Sequence, residues 1–238
     1  MNPYDDPVFF DAYARMTRSR QGLEGAGEWH QLKPLFPDLR GKTVLDLGCG
    51  YGWHCKFAAE NGAGAVLGID QSEKMIAEAR RRNGDSRIEY RVCGIGGYDY
   101  PAERFDLVIS NLALHYVEDL DAVYRMVHRT LKGGGRFLFN IEHPTFTAGV
   151  NQQWVTEGDK VLYWPVDNYF YPGRRSTDFL GCRIEKYHHT LAQILNGLIQ
   201  SGFSIDAVDE AMPPEQWRPQ MPEEMRRPMM LLVSAAKT

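Results

Sequence analysis

Residues 44–55 read VLDLGCGYGWHC, an apolar run that ends in three alternating glycines. A strand that leads into a glycine-rich turn and then a helix lets the backbone approach a ligand closely, with helix N–H groups pointing outward. Four ligands suit such a turn: a nicotinamide dinucleotide, a phosphate, a metal on His54 with Cys49 and Cys55, or a different adenosine cofactor. The residues around the turn discriminate between these ligands.

The glycine spacing argues against both phosphate ligands. Gly48, Gly50 and Gly52 give G-x-G-x-G, whereas a dinucleotide fold needs G-x-G-x-x-G, and here the letters WHC stand where the third glycine would fall. No Gly-Lys-Ser/Thr follows, so the P-loop pattern is missing as well. A metal is also disfavoured, because a helix would turn His54 and Cys55 in different directions and zinc takes paired soft ligands at fixed spacing.

Two aspartates flank the glycines and narrow the choice further. Asp46 lies inside the preceding strand, where a carboxylate would repel a pyrophosphate but suits a cofactor that carries an amine and a sulfonium. Asp70 ends the next strand about twenty residues later, the spacing of an acid that accepts hydrogen bonds from ribose hydroxyls. Together the two acids indicate adenosine without phosphates.

Short apolar runs alternate with amphipathic helical stretches from Thr43 onward, the pattern of βαβ units in a parallel sheet. The predicted strands are TVLDL, AVLGID, RIEYRV, FDLVIS, GRFLFNI, FSIDAVDE and MMLLVSAA. Helices are predicted around 53–61, 72–83 and 118–131, with Ser72 as an N-cap, and after a capping box at Thr190 and Gln193 that leads to a stop at Gly202. This order predicts an α/β fold with a doubly wound sheet.

Three regions are expected along the chain. Residues 1–40 are predicted to form a helical cap segment, and residues 41–238 one ligand-binding α/β domain. Within that domain, residues 142–187 are rich in Pro, Gly, Trp and Tyr and show no long helical periodicity. This stretch is too long for a simple connection in a compact domain, so it is predicted to be an inserted lid or binding loop.

Four stretches, in order, resemble a known family: VLDLGCGYG, GIDQSEKMIAEAR, FDLVISNLALHYVEDL and LKGGGRFLFNIEHP. They look like the successive motifs of class I S-adenosylmethionine-dependent methyltransferases, most nearly the type 11 or UbiE-like small-molecule group. The resemblance covers about residues 40–145. It implies a Rossmann-like, seven-stranded, mostly parallel sheet and S-adenosyl-L-methionine as cofactor, with S-adenosyl-L-homocysteine as product.

By position, the resemblance also implies the cofactor-binding residues: Asp46, Gly48, Cys49, Gly50, Gly52, Asp70, Gln71, Met75, Gly94, Ile95, Asn111 and Leu112. The glycine loop would lie against the methionine part, with Asp46 orienting a water or the amino group. Asp70 would bind the ribose, and Gln71 and Met75 would flank the adenine. The acid that commonly follows the third strand is missing from VCGIGGYDY, so a backbone group near Gly94 or Ile95 is expected to contact the adenine amine. Asn111 and Leu112 would lie beside the methyl group.

Methyl transfer from a sulfonium is an in-line displacement, so the main task is to hold the reacting groups in line in a dry pocket. A general base is needed only for a protonated acceptor. The carboxyl ends of the strands place Tyr116 and Glu142 on the pocket side, together with the catalytic candidates His143, His115 and His188. Substrate contacts are expected from Tyr4, Tyr13, His143, Trp164, Tyr169 and His189. Each histidine could instead have a structural role, in packing or at the start of a helix. The aromatic residues of the predicted lid could likewise serve only to pack the insertion onto the sheet.

Composition and charge exclude several other functions. A net charge of -4 and a pI near 6.0 argue against a nucleic-acid-binding domain, and SNLALHY stands where DNA amine methyltransferases carry an Asn/Asp-Pro-Pro-aromatic stretch. No DNA is therefore expected, and RNA is disfavoured. No stretch has the length and apolarity of a membrane span or secretion signal, which predicts a cytoplasmic protein, and the scattered cysteines predict reduced thiols and no metal.

The sequence thus predicts methyl transfer to an O, N or C atom of a small, planar or apolar metabolite, by a monomer or homodimer. Three alternatives stay open: a non-catalytic S-adenosylmethionine-binding regulator, a tRNA methyltransferase and an NAD-dependent dehydrogenase. The glycine spacing disfavours the last of these.

Overall fold

The computed structural model describes residues 2–238. Its strands are β1 (Thr43–Leu47), β2 (Ala65–Asp70), β3 (Ile88–Val92), β4 (Phe105–Asn111), β5 (Leu131–Glu142), β6 (Val155–Glu157), β7 (Lys160–Tyr163), β8 (Gly173–Phe179), β9 (Cys182–His188), β10 (Phe203–Glu210) and β11 (Met230–Lys237). Its α-helices are α1 (Pro7–Ala14), α2 (Thr17–Gln21), α3 (Trp29–Leu32), α4 (Trp53–Glu60), α5 (Glu73–Asn83), α6 (Leu120–Thr130), α7 (Pro144–Thr147) and α8 (Leu191–Gln200). None of these helices is both long enough and apolar enough to cross a bilayer.

Seven strands form the central sheet in the order β3-β2-β1-β4-β5-β11-β10. The first five pair in parallel, whereas β11 runs antiparallel to both β5 and β10. The crossover helices α4 and α5 separate successive parallel strands, as parallel pairing requires. The predicted doubly wound, mostly parallel α/β fold is confirmed.

The sheet is buried on both faces, which explains why its strands read as nearly continuous apolar runs. Leu45 and Ile69 pack on the face covered by α6 and α8. Val44 and Leu107 point the other way, toward α4, α5 and Trp29. The resulting sandwich is a rigid frame that fixes the positions of the loops at its carboxyl edge.

The predicted helix caps are present. Ser72 Oγ accepts a hydrogen bond from Met75 N at 3.1 Å at the start of α5. Thr190 and Gln193 bond reciprocally at the start of α8, and Gly202, with φ +89°, follows its end. Capping groups fix where each helix begins, and therefore how the preceding loop meets the sheet edge.

The predicted lid contains more regular structure than its composition indicated. After the single turn of α7 come two antiparallel hairpins, β6-β7 and β8-β9. Phe179, at the tip of the second hairpin, contacts Phe9 of α1 with ring centroids 5.8 Å apart. The N-terminal segment and the predicted lid therefore meet above the sheet, while the exact boundaries between the three regions remain predictions.

Candidate active site

A cavity of about 690 Å³ lies at the carboxyl ends of β1, β2, β4 and β5. In a doubly wound sheet this crevice is where ligands bind, and the volume lies within the roughly 300–1,000 Å³ of small-molecule sites. The N-terminal segment and the predicted lid complete the walls. The loops that follow the first four strands form its floor, so residues distant in sequence meet in one space.

The glycine loop after β1 uses its first amides internally. The N–H groups of Gly48 and Cys49 both donate to the carbonyl of Ile69 at 2.9 Å. The N–H of Gly50 donates to Asp70 Oδ2 at 3.0 Å. These three donors are therefore not available to a phosphate, although a dinucleotide loop depends on free N–H groups at this place.

Two glycines of the loop have different structural roles. Gly50 has φ +52°, and apart from its two chain neighbours no described residue has an atom within 4 Å of the position that a Cβ would take, so the backbone faces the open cavity. Gly52 has φ +77°, and its Cβ would lie 2.3 Å from the hydroxyl oxygen of Tyr90. Gly52 does not line the cavity. The expectation that it lies against the ligand is corrected to a packing role against Tyr90.

Asp70 reaches the cavity from the end of β2. Its Oδ1 accepts a hydrogen bond from Ser72 N at 2.9 Å, in addition to the Gly50 bond to Oδ2. Burial raises the pKa of Asp70, while the two backbone hydrogen bonds act in the opposite direction. A carboxylate has about four acceptor positions, so two remain for a ligand.

The residues expected around the adenine come together beside Asp70. All of them line the same part of the cavity: Gln71, Met75, Gly94 and Ile95. Met75 is almost fully buried and provides an apolar surface at the start of α5. The turn after β3 therefore meets the turn after β2, which short-range sequence patterns alone do not show.

Asp46 lies beneath the loop rather than on the cavity wall. Its Oδ2 accepts a hydrogen bond from Cys55 Sγ at 3.3 Å, and its Oδ1 has no partner among residues 2–238. Burial raises the pKa of this carboxyl group to about 7. Asp46 therefore supports the loop from behind, and its expected role in orienting a water or the amino group stays a prediction. Across the described chain, no three His, Cys, Asp or Glu side chains are grouped to hold a metal.

The end of β4 brings Asn111 and Leu112 into the cavity. Asn111 donates from Nδ2 to Glu28 Oε1 at 3.4 Å and accepts from Asn140 Nδ2 at 2.9 Å. Leu112 has φ +55°, a left-handed conformation that is strained for a branched side chain. Such strain concentrates at functional sites, where the surrounding structure maintains it.

A polar cluster lies at the other end of the cavity. Lys186, on β9, donates from Nζ to Glu142 Oε1 at the end of β5. His115 lies in the turn after β4, with Nε2 3.9 Å from the same Glu142 oxygen. Burial lowers the pKa of His115 to about 4, against the raising effect of Glu142, so its imidazole is neutral at neutral pH.

Aromatic side chains surround this cluster. The hydroxyls of Tyr4 and Tyr116 lie 3.0 Å apart and join the N-terminal segment to the turn after β4. Tyr13, Phe146 and Phe179 also line the cavity. Two of the predicted substrate residues, Tyr4 and Tyr13, are thus brought to the cavity with His115.

His143 does not line the cavity. Its Nδ1 accepts a hydrogen bond from Thr145 N at 3.0 Å, which makes it the N-cap of α7. Its Nε2 lies 3.0 Å from Glu210 Oε1. The catalytic and substrate roles expected for His143 are corrected, because both ring nitrogens face groups outside the cavity.

The two adjacent histidines before α8 are also outside the cavity. His188 is fully buried, with Nδ1 2.6 Å from Thr147 Oγ1 and Nε2 2.8 Å from the Tyr169 carbonyl. His189 Nε2 lies 3.0 Å from the Val117 carbonyl. His188 thus ties β9 to two other parts of the predicted lid, and His189 ties the start of α8 to the loop after β4, so their expected roles are replaced by structural ones.

Trp164 and Tyr169 lie behind the cavity wall as well. Trp164 stacks on Phe146 at 5.3 Å, so Phe146 presents its ring to the cavity instead. The Tyr169 hydroxyl accepts a hydrogen bond from Leu191 N at 3.1 Å. Neither side chain is placed to contact a substrate, which corrects both expectations.

Several residues of the cavity wall were not expected from the sequence, among them Arg18, Phe146, Phe179 and Lys186. One signal was available for the lysine. In the stretch IEKYH, Ile184, Lys186 and His188 alternate, and all three are buried. A lysine on the inward face of a strand is rare unless it is paired, and therefore marks a site.

Comparisons with known proteins agree with this geometry. A family model described as a methyltransferase domain matches residues 45–139. An S-adenosylmethionine dependent methyltransferase from Mesorhizobium loti shares 45% identity and a TM-score of 0.84, over 91% of this chain and 100% of that chain. A protein from Listeria monocytogenes, assigned to the same activity, shares 45% identity and a TM-score of 0.87, over 91% and 99% of the two chains.

The similarity also extends over nearly the whole sequence. An uncharacterised protein of Haemophilus influenzae is 30% identical over 251 aligned positions, which cover 98% of this chain and 96% of that protein. The domain match includes the glycine loop and β4, which meet in the cavity. The chain belongs to the class I S-adenosylmethionine-dependent methyltransferases of the type 11 family, and S-adenosyl-L-methionine is its cofactor.

Proposed function

We propose that the protein transfers the methyl group of S-adenosyl-L-methionine to an O, N or C atom of a small, planar or apolar molecule that binds in the same cavity. The observation that carries the proposal is the continuity of this space. The glycine loop and Asp70 line one end, and the cluster of Glu142, Lys186 and His115 lines the other. Asn111 and Leu112, which are expected beside the methyl group, also line this cavity.

The residues at the first end suit adenosine without phosphates. The free acceptor positions of Asp70 would take two ribose hydroxyls, since its other two positions hold Gly50 and Ser72. Gly50 would allow the methionine part to approach the backbone. Gln71 and Met75 would flank the adenine, and the loop's first three amides are already bonded, which disfavours NAD.

The cofactor, when bound, supplies a methyl group on a sulfonium, whose sulfur leaves readily as a neutral thioether. The protein's own contribution is then to orient the acceptor and to exclude water. The Tyr4–Tyr116 hydrogen bond closes the cavity on the side of the N-terminal segment. Phe146 and Phe179 provide apolar walls from the predicted lid.

A transfer assay tests which class of acceptor is used. The protein is incubated with methyl-labelled S-adenosylmethionine and a cell extract that has been separated into small-molecule, RNA and protein fractions. Label is expected in the small-molecule fraction, and not with Asp70→Asn. Label in the RNA or protein fraction would contradict the proposal, and binding of the cofactor without any transfer would favour a non-catalytic regulator.

A further inference from the structure

Three ionisable side chains from three separate elements meet at the end of the cavity away from the glycine loop. Glu142 ends β5, His115 lies after β4, and Lys186 belongs to the second hairpin of the predicted lid. The side chain of Glu142 is 11% exposed and that of Lys186 is 4% exposed. Burial of such groups is costly, so their presence on a cavity wall points to a ligand.

Two atoms of this cluster have no hydrogen-bond partner within residues 2–238. They are Glu142 Oε2 and His115 Nδ1. Lys186 occupies only the other Glu142 oxygen, Oε1. Buried polar atoms of folded proteins are nearly always paired, and a carboxylate oxygen can only accept. Glu142 lines the cavity, and Oε2 is its one oxygen without a donor, so an O–H or N–H group of a ligand would supply the missing hydrogen bond.

The walls beside the cluster are flat and apolar. The Lys186 ammonium lies 5.9 Å from the ring centroid of Phe146 and 5.5 Å from that of Phe179. The ring of Tyr116 packs on His115 at 4.3 Å. Aromatic surfaces on three sides suit a planar ring, which can stack or pack edge to face against them.

The charges of the cluster balance. Glu142 and Lys186 neutralise each other, and the buried His115 is neutral above about pH 4. A carboxylate, phosphate or cation on the ligand would leave this neutral pair with a net charge. Because neither charge would be compensated away from water, the subsite favours an uncharged ligand.

We propose that the methyl acceptor is an uncharged planar molecule whose O–H or N–H group donates to Glu142 Oε2, and that Glu142 takes this proton during transfer. The inference rests on the proposed function of the same cavity. In the balanced step, a bond forms between the acceptor's O or N atom and the methyl carbon. The electron pair of the broken carbon–sulfur bond stays on sulfur, and the acceptor proton passes to Glu142. Lys186 is a positioning residue that holds Glu142.

Four probes with one ring system test the charge and donor requirements. Calorimetry measures the binding of 2-naphthol, 2-methoxynaphthalene, 2-naphthoate and 2-naphthylmethylammonium to protein saturated with S-adenosylhomocysteine. We expect 2-naphthol to bind most tightly, about tenfold or more above 2-methoxynaphthalene, because only it donates to a charged acceptor without carrying a charge. Tightest binding of the carboxylate or the ammonium probe would overturn the proposal.

Variants assign this preference to Glu142. Glu142→Gln is expected to lose most of the preference for 2-naphthol over 2-methoxynaphthalene. Glu210 is a carboxylate outside the cavity, so Glu210→Gln should keep this preference. The double variant Glu142→Leu with Lys186→Met removes both buried charges together, and is expected to fold and to show no preference. A preference that survives in the double variant would refute the role of Glu142.

The failure of this inference is distinct from the failure of the proposed function. If S-adenosylhomocysteine binds and none of the four probes does, the planar uncharged acceptor is wrong while methyl transfer still stands. If S-adenosylhomocysteine itself does not bind in the cavity, both proposals fail.

Discussion

Replacing Asp70 by Asn is expected to remove most of the affinity for S-adenosylmethionine while leaving the fold intact. Each oxygen of Asp70 already accepts one backbone N–H, from Gly50 at 3.0 Å and from Ser72 at 2.9 Å. Asn has the same shape, but its NH₂ group must face one of these N–H groups and can no longer accept from a ribose hydroxyl. With about 1.5–3 kcal/mol for each hydrogen bond to a charged group, we expect a loss of about 2–4 kcal/mol, or roughly 30- to 1,000-fold in Kd.

Calorimetric titration measures this loss, and thermal unfolding checks that the variant is folded. Asp119→Asn is the matched control, because Asp119 Oδ1 also accepts a backbone N–H, that of Ala122 at 2.9 Å, but lies away from the cavity. The control should bind like the wild type. If folded Asp70→Asn also binds like the wild type, the reasoning about Asp70 is refuted.

Four further variants test other residues of β1, the glycine loop and the predicted lid. Gly50→Ala should weaken S-adenosylmethionine binding, because its Cβ enters the cavity, with a stability loss of only about 1 kcal/mol. Gly52→Ala should instead lower the free energy of unfolding by about 2–4 kcal/mol, because the backbone there is left-handed and the new Cβ would clash with Tyr90. Calorimetry measures cofactor binding by both glycine variants and thermal unfolding measures their stability. Equal losses in the two variants would contradict this division of roles. In the native state the pKa of Asp46 is about 7, whereas the unfolded chain releases this proton at about pH 4. Between these two pH values the free energy of unfolding of the wild type should therefore fall with rising pH, relative to that of Asp46→Asn. Urea unfolding of both proteins at about pH 5 and about pH 8 measures this change, and an equal difference between them at the two pH values would argue against the raised pKa. His143→Asn should keep methyl transfer, because Asn also caps α7; loss of transfer by a stably folded variant would restore a catalytic role.

The fold and the cofactor end of the cavity could be predicted from the sequence because their signals are local. Alternating apolar runs and caps fix the strands and helices, and strand ends in a parallel sheet share one edge. Asp70 and Gln71 follow a strand directly, so their position needs no knowledge of distant contacts. The role of Gly52 could not be predicted in this way, because part of its glycine requirement comes from Tyr90, which lies 38 residues later in the chain.

The acceptor end could not be predicted in the same way. Its walls come from the hairpins of the predicted lid, whose register and placement depend on long-range packing. Trp164 and His188 look suited to a substrate, yet the first packs behind Phe146 and the second is fully buried against Thr147. Lys186, an ordinary residue in the sequence, becomes part of the site only because β9 turns it inward.

A crystal structure of the complex with S-adenosylhomocysteine tests the central claim most directly, namely that donor and acceptor share one cavity. We predict that the ribose hydroxyls bond to Asp70 and that the sulfur faces the space between Asn111 and Glu142, with that space left open for an acceptor. A sulfur atom that points away from Glu142, or a ligand that fills the space beside it, would contradict the account.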